Sequence, residues 1–173
     1  MVRQKPQLFA DGLSDANHAG CLRTRVSIGC SVLMHGAHMI RFLTGTQEDP
    51  ALSSGESEWY GLVRCATATV GFRNMAADFG LTLQARLTGD ATAAAGIANR
   101  RGAGKLRHVE TKTLWFQRMV TNKKILLKRE PGTELAADIG TKHVDSHTLW
   151  KMLGKLGYHA MKGVSPLALK AAL

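Results

Sequence analysis

Four acidic residues stand where groups that act together would be expected. Asp15 ends the first strand, Glu58 lies in the first turns of a long helix, Asp90 ends the fourth strand at a strand–helix junction, and Asp138 lies in a short helix after the fifth strand. In open mixed sheets functional groups gather beyond the carboxyl ends of strands, so two strand-end aspartates and two helix acids can converge there. Four uncompensated carboxylates would repel and raise one another's pKa. Two Mg²⁺ ions would supply the counter-charge, because this ion prefers hard oxygen ligands and keeps several waters. A pair roughly 4 Å apart polarises an attacking water and stabilises the leaving oxygen of a phosphodiester. The same positions have a plainer use: an Asp caps a helix, and a Glu in a first turn complements the helix dipole. The residues alone leave both readings open.

The elements that must position these acids follow from periodicity and turn chemistry. Residues 7–15 carry Leu8, Phe9 and Leu13 and form a first strand, interrupted at Asp11-Gly12. Two apolar runs, 26–34 and 38–44, flank His35-Gly36-Ala37 and predict an antiparallel hairpin. Ser53-Ser54-Gly55-Glu56 has the spacing of a capping box, in which each side chain satisfies the other's backbone N–H. After it Trp59, Leu62, Val63, Ala66 and Val70 mark one face of a long helix, with Gly80 as its stop. Leu81, Leu83, Ala85 and Leu87 alternate as in a strand that Gly89-Asp90 ends. An Ala-rich run, 91–99, predicts a short helix, and the basic, glycine-rich stretch 100–107 a loop. Residues 109–121 form a helix with Leu114, Trp115, Met119 and Val120 as its apolar set. Ile125-Leu126-Leu127 makes a short buried strand, 133–139 a short helix, and 146–156 another, stopped by Gly157. Three antiparallel strands followed by alternating strands and helices predict an α/β mixed sheet with helices packed on it.

Composition narrows the classes. With 45% hydrophobic residues and 21% charged ones, 173 residues fit one domain with a full core rather than a disordered chain. We expect a single domain over 1–173, with a core of about 8–157 and a tail of 158–173. No apolar run approaches the ~20 residues needed to cross a bilayer, and the N-terminus lacks the apolar centre of a secretory signal. The expected location is intracellular, cytoplasmic or nuclear, with no membrane partner. Three cysteines, Cys21, Cys30 and Cys65, form no CxxC pair and suit small buried hydrophobes in a reducing compartment, with no disulfide-linked partner. The formal charge of +10 points to a polyanion, nucleic acid first.

The segments around the four acids carry a family resemblance. Residues 14–21, Ser-Asp-Ala-Asn-His-Ala-Gly-Cys, resemble the S/T-D-A-D-W-A-G-C segment of the ribonuclease H domain in copia-type LTR retrotransposon polyproteins. Residues 51–60 are similar to its A-L-S-S-x-E-A-E-Y, Gly89-Asp90 to its C/T-D-N/S, 105–110 to its x-R-T-K-H-I-D/E, and 136–143 to its x-A-D-x-x-T-K. Order and spacing agree from about residue 8 to 157.

The resemblance implies a ribonuclease H-like fold: a mixed five-stranded sheet, three antiparallel strands first, with helices on both faces. It implies that Asp15, Glu58, Asp90 and Asp138 are catalytic and bind two Mg²⁺ ions, with Mn²⁺ able to substitute. The implied reaction is endonucleolytic hydrolysis of the RNA strand of an RNA–DNA hybrid, with the reverse transcriptase domain of a parent polyprotein as partner. Such a protein recognises RNA by its 2′-hydroxyl across the minor groove and holds phosphates with basic side chains. Candidates are Arg23, Arg25, Arg100, Arg101, Lys105, Arg107 and Lys112, the last five forming one cluster; each is otherwise a solvated surface charge. His108 and His143 are expected to be structural or surface residues. Asn17 and His18 replace the family's second Asp and its Trp. No Y-x-D-D polymerase motif occurs, so the chain is expected to be a fragment of a polyprotein or a gene made from a broken element. The alternative is a catalytically degenerate domain of the same fold that binds nucleic acid or serves as a tether.

Overall fold

The computed structural model describes residues 7–48, 50–90, 96 and 111–158, with the side chains of 111–113 left aside. Five strands form one sheet in the order β3-β2-β1-β4-β5. They are β1 (Phe9–Asn17), β2 (Ile28–His35), β3 (His38–Thr46), β4 (Gln84–Gly89) and β5 (Ile125–Arg129). The first three run antiparallel, and β4 pairs parallel with both β1 and β5. The predicted sheet is thus the one observed.

The hairpin forms as its sequence requires. Gly36 adopts φ 60° between His35 and His38, which close the β2–β3 ladder. Helix α1 (Ser54–Asp78) is capped by Ser53, whose Oγ accepts from the Glu56 amide at 3.2 Å. The return bond differs from the expected box. Glu56 Oε2 accepts from the Leu52 amide at 2.9 Å, one residue earlier, and Oε1 accepts from the Tyr60 hydroxyl. At the far end Gly80 (φ 79°) sits in a Schellman turn, with the Leu81 amide on the Ala76 carbonyl. That turn places Leu81 outside the strand and in solvent, whereas Leu83, Ala85 and Leu87 are buried as their alternation predicts.

Two cores lie on opposite faces of the sheet. On one, Trp59, Leu62, Cys65 and Ala66 of α1 pack on Ala85, Leu87 and Ile125 and against Phe116 of α2 (Thr111–Thr121). The Trp59 and Phe116 rings are 5.3 Å apart and tilted. On the other, Cys30, Val32 and Met34 of β2 meet Leu135, Ala136 and Ala137 and the apolar face of α3 (Ser146–Lys155), through Met152 and Leu156. Helices therefore cover both faces.

Several expectations need correction. The buried face of α1 turns further toward Cys65 and Thr69 than predicted, leaving Val63 and Val70 at its margin. Among the described side chains of α2, Phe116 and Gln117 are buried, while Trp115 is exposed; an eleven-residue helix with aromatic neighbours at 115 and 116 fits two phases, and Trp59 selects the second. β5 is an edge strand with Ile125 buried and Leu126 exposed, so it is not buried on both sides. Residues 133–139 form two 3-10 turns, Gly132–Glu134 and Ala136–Gly140, rather than a helix. Cys30 and Cys65 are buried, and Cys21 is only partly so. The expected helix at 91–99, apart from Gly96, and the loop at 100–107 lie outside the described residues.

The expected break at Asp11-Gly12 does not exist: β1 runs through it. Asp11 accepts from Arg86 Nε at 2.5 Å, and the Arg86 guanidinium lies over the Phe9 ring. Gly12 lets α1 lie close, because a Cβ there would stand 2.4 Å from Thr69 Oγ1, 2.5 Å from Leu87 Cδ2 and 2.7 Å from Cys65 Sγ. A charged residue and a glycine in a strand look like an interruption, yet here one pairs across strands and the other admits a helix.

Among the described residues no helix is long and apolar enough to cross a membrane.

Candidate active site

The site stands at the carboxyl ends of the two central parallel strands. Their register pairs Ser14 with Gly89, so the next residues, Asp15 and Asp90, emerge side by side. β1 continues two residues past Asp15 against β2, opposite Cys30, so Asp15 sits inside the strand rather than at its end. It is also only 2% exposed. Asp90 follows β4 directly.

Glu58 reaches the same place from above. α1 approaches β1 closely at Gly61, where a Cβ would be 3.1 Å from Ser14 Oγ. One turn earlier on that helix, Glu58 hydrogen-bonds the Ala16 backbone. Burial, then the Asp15 charge, pushes its carboxyl up to about 8, with Asp90 adding to the rise.

Asp138 is brought in by the 3-10 turn Ala136–Gly140. Gly140 seats that turn on the sheet, since a Cβ would stand 2.5 Å from Cys30 Sγ, and its carbonyl accepts from Thr44 Oγ1 at 2.7 Å. Burial and then the Asp15 charge raise Asp138 to about 6, and its Oδ1 is buried with no hydrogen-bond partner found among the described residues. Gly132 lies against both Asp90 and Asp138: a Cβ there would be 2.9 Å from Asp90 Oδ2 and 3.7 Å from Asp138 Oδ2. The four predicted acids thus stand at one end of the sheet, where Asp15 acts on Glu58 and Asp138, and Asp90 acts on Glu58.

Three further residues belong to the site, and the sequence alone assigned them no role. Thr141 donates its hydroxyl to Asp15 Oδ2. Lys142 Nζ is 3.0 Å from Asp138 Oδ2 and 3.6 Å from Asp15 Oδ1. Asn17 donates Nδ2 to the Thr141 carbonyl at 3.1 Å, tying the end of β1 to the segment after Asp138. An ionised Asp at position 17, as in the family pattern, has no proton for that bond. The available signal for Lys142 was its spacing, four residues from Asp138.

The donors are all oxygen, as Mg²⁺ or Mn²⁺ requires. Burial first and then the Asp15 charge push Glu58 and Asp138 toward their neutral forms, so these carboxyls are near enough to act on one another, with Lys142 as a neighbouring cation. The residues present therefore fit a hard divalent cation. As the side chains stand, no group of three or more His, Cys, Asp or Glu among the described residues is drawn together tightly enough to hold one ion; the Lys142 amine pairs with both Asp15 and Asp138.

Arg23 and Arg25 are exposed in the β1–β2 loop, which leaves the sheet at the same end as the acids. Lys112 lies on α2, its side chain outside the described residues, as are Arg100, Arg101, Lys105, Arg107 and His108. His143 is exposed.

The chain, with its sheet order β3-β2-β1-β4-β5 and helices on both faces, is similar in fold to solved structures. LC11-RNase H1, isolated from compost by a metagenomic approach, matches with a TM-score of 0.51 at 11% identity, covering 77% of this chain and 92% of that one. The fold is that of ribonuclease H. Prototype foamy virus protease–reverse transcriptase also matches, with a TM-score of 0.50 and 10% identity over 93% of this chain and 22% of the viral one. RNase H1 from the halophilic archaeon Halobacterium salinarum is also similar, at 16% identity and a TM-score of 0.46, covering 70% of this chain and 85% of that one. No family model matches the sequence, and no curated protein matches it.

The 3-10 turn just before the one that carries Asp138 is held to α3 by ion pairs. Glu134 accepts from Lys151 at 2.5 Å and from Lys155 at 2.6 Å, both on α3, and these lysines hold its carboxyl down at about 2. A depressed carboxyl contributes stability that is present above its unfolded value of about 4.5 and lost as pH falls through about 2. Glu134→Gln should therefore lower the melting temperature slightly at pH 6, the pair being exposed, and the difference should vanish near pH 2. Thermal unfolding followed by circular dichroism at both values checks it.

Proposed function

We propose that this chain is a divalent-metal-dependent ribonuclease H that cuts the RNA strand of an RNA–DNA hybrid, belonging to or derived from a retrotransposon reverse-transcription polyprotein. One observation carries the reading: Asp15, Glu58, Asp90 and Asp138, on four separate elements, meet at the carboxyl ends of the central strands of a ribonuclease H fold. Four of the five family-like segments named from the sequence contain these acids, and the order of all five supports the retrotransposon origin.

The roles follow from placement. Asp15, buried and fixed by the Thr141 hydroxyl, is the rigid member of the set. Asp90 and Asp138 flank it, and Glu58 closes the site from α1. Together they would hold two Mg²⁺ ions, or Mn²⁺. The bound metal supplies a polarised water and charge to stabilise the leaving oxygen. Arg23 and Arg25, at the same end, would hold phosphates of the duplex without reading its sequence.

The substrate class is tested by selectivity. With Mg²⁺ present, the purified chain should cut the RNA strand of a labelled hybrid and leave a DNA duplex of the same sequence intact, because only the hybrid offers the 2′-hydroxyl. Equal cutting of both would contradict the ribonuclease H reading and indicate a general nuclease. Binding of the hybrid without cutting would favour the degenerate or tether reading.

A further inference from the structure

The amine of Lys142 pairs with two of the proposed metal ligands at once, 3.0 Å from Asp138 Oδ2 and 3.6 Å from Asp15 Oδ1. Asp15 is 2% exposed, and a carboxylate removed from water needs a counter-charge. Among the described residues Lys142 is the only Lys or Arg in an ion pair with Asp15 or Asp138. Its backbone is anchored, since the Lys142 amide bonds the Asp138 carbonyl at 3.0 Å. Its side chain remains 45% exposed. The amine therefore has a short path from the carboxylates to water, along a flexible stem that stays where it is.

We propose that Lys142 is a built-in counter-ion that holds Asp15 and Asp138 together in the metal-free protein and is displaced from them when a divalent cation binds. The inference rests on the metal-dependent reading above. An ammonium and a divalent cation would compete for the same oxygens, Asp15 Oδ1 and Asp138 Oδ2, and would repel each other at contact distance. Lys142 thus sets the threshold of cation at which the site assembles. It keeps the carboxylates converged at low cation concentration, and metal affinity is lower than the four acids alone would give.

The test measures Mn²⁺ binding rather than turnover. Wild type, Lys142→Met and Lys142→Arg, each shown by circular dichroism to be folded, are titrated with Mn²⁺, free ion being followed by electron paramagnetic resonance. Lys142→Met should bind about three- to tenfold more tightly, and its melting temperature should rise more on adding Mn²⁺ than that of wild type. Lys142→Arg, which keeps the charge, should stay within about twofold of wild type. Equal or weaker binding by Lys142→Met, with wild type binding Mn²⁺, would overturn the counter-ion role and leave the metal site standing. Absence of Mn²⁺ binding by wild type and both variants would overturn the metal-dependent reading, and the proposal with it.

Discussion

Asp90→Asn should lose hybrid cleavage by more than about 100-fold while the protein stays folded and still binds the hybrid. The substitution is isosteric, and it keeps one acceptor oxygen beside Gly132, where space is tight. What it removes is a negative charge at the end of β4, next to Asp15. Partners that merely orient a metal ligand cost about 10- to 100-fold when removed, so a ligand itself should cost more. Stability should move the other way. Asp90 adds to the repulsion that holds Glu58 up at about 8, so neutralising it relieves the metal-free site. The variant should therefore melt no lower than wild type without metal. Binding should persist, because phosphates are held by basic side chains and a carboxylate opposes them. Single-turnover cleavage, a filter-binding titration and a melting curve on one preparation check all three. Loss of activity together with a lower melting temperature would instead make Asp90 structural.

Gly12→Val should destabilise the fold by about 3 kcal/mol or more, at the upper end of overpacking costs. Strand propensity predicts the opposite sign, since Val is favoured in a pleated, half-buried strand and Gly is not. The structure decides between them. A Cβ at position 12 would stand within 2.7 Å of Thr69 Oγ1, Leu87 Cδ2 and Cys65 Sγ. Two of these atoms belong to α1 and are buried, so relief requires the helix to move off the sheet. The same helix carries Glu58, so activity should fall along with stability. Urea denaturation gives the free energy directly, and an unchanged or higher midpoint would show that the helix does not rest on Gly12.

The two substitutions mark what the sequence disclosed and what it did not. Strand number, the hairpin at Gly36, the Ser53 cap and the stops at Gly80 and Gly157 were legible because each depends on a few adjacent residues. All four acids were legible as well: the layout placed Asp90 at the carboxyl end of a strand, and parallel register with β1 brought Asp15 beside it. The failures share one cause. Gly12, Phe116 and the edge position of β5 acquire their meaning from an element distant in sequence. The turn at Asp138 read as a helix because Glu134 to Ile139 has helical composition, whereas Gly140 must sit on Cys30. Thr141 and Asn17 carry no local signal of a role, and Lys142 carries only its spacing from Asp138, since each works through Asp15, Asp138 or the chain between them.

The central claim is that Asp15, Glu58, Asp90 and Asp138 form one metal-dependent hydrolytic site. It is tested most directly by incubating an end-labelled RNA–DNA hybrid with the purified chain, in Mg²⁺ and in EDTA, beside Asp15→Asn. RNA fragments should appear with Mg²⁺, none with EDTA, and none from the variant in either condition. Cutting by Asp15→Asn at the wild-type rate, or cutting that survives EDTA, would contradict the claim.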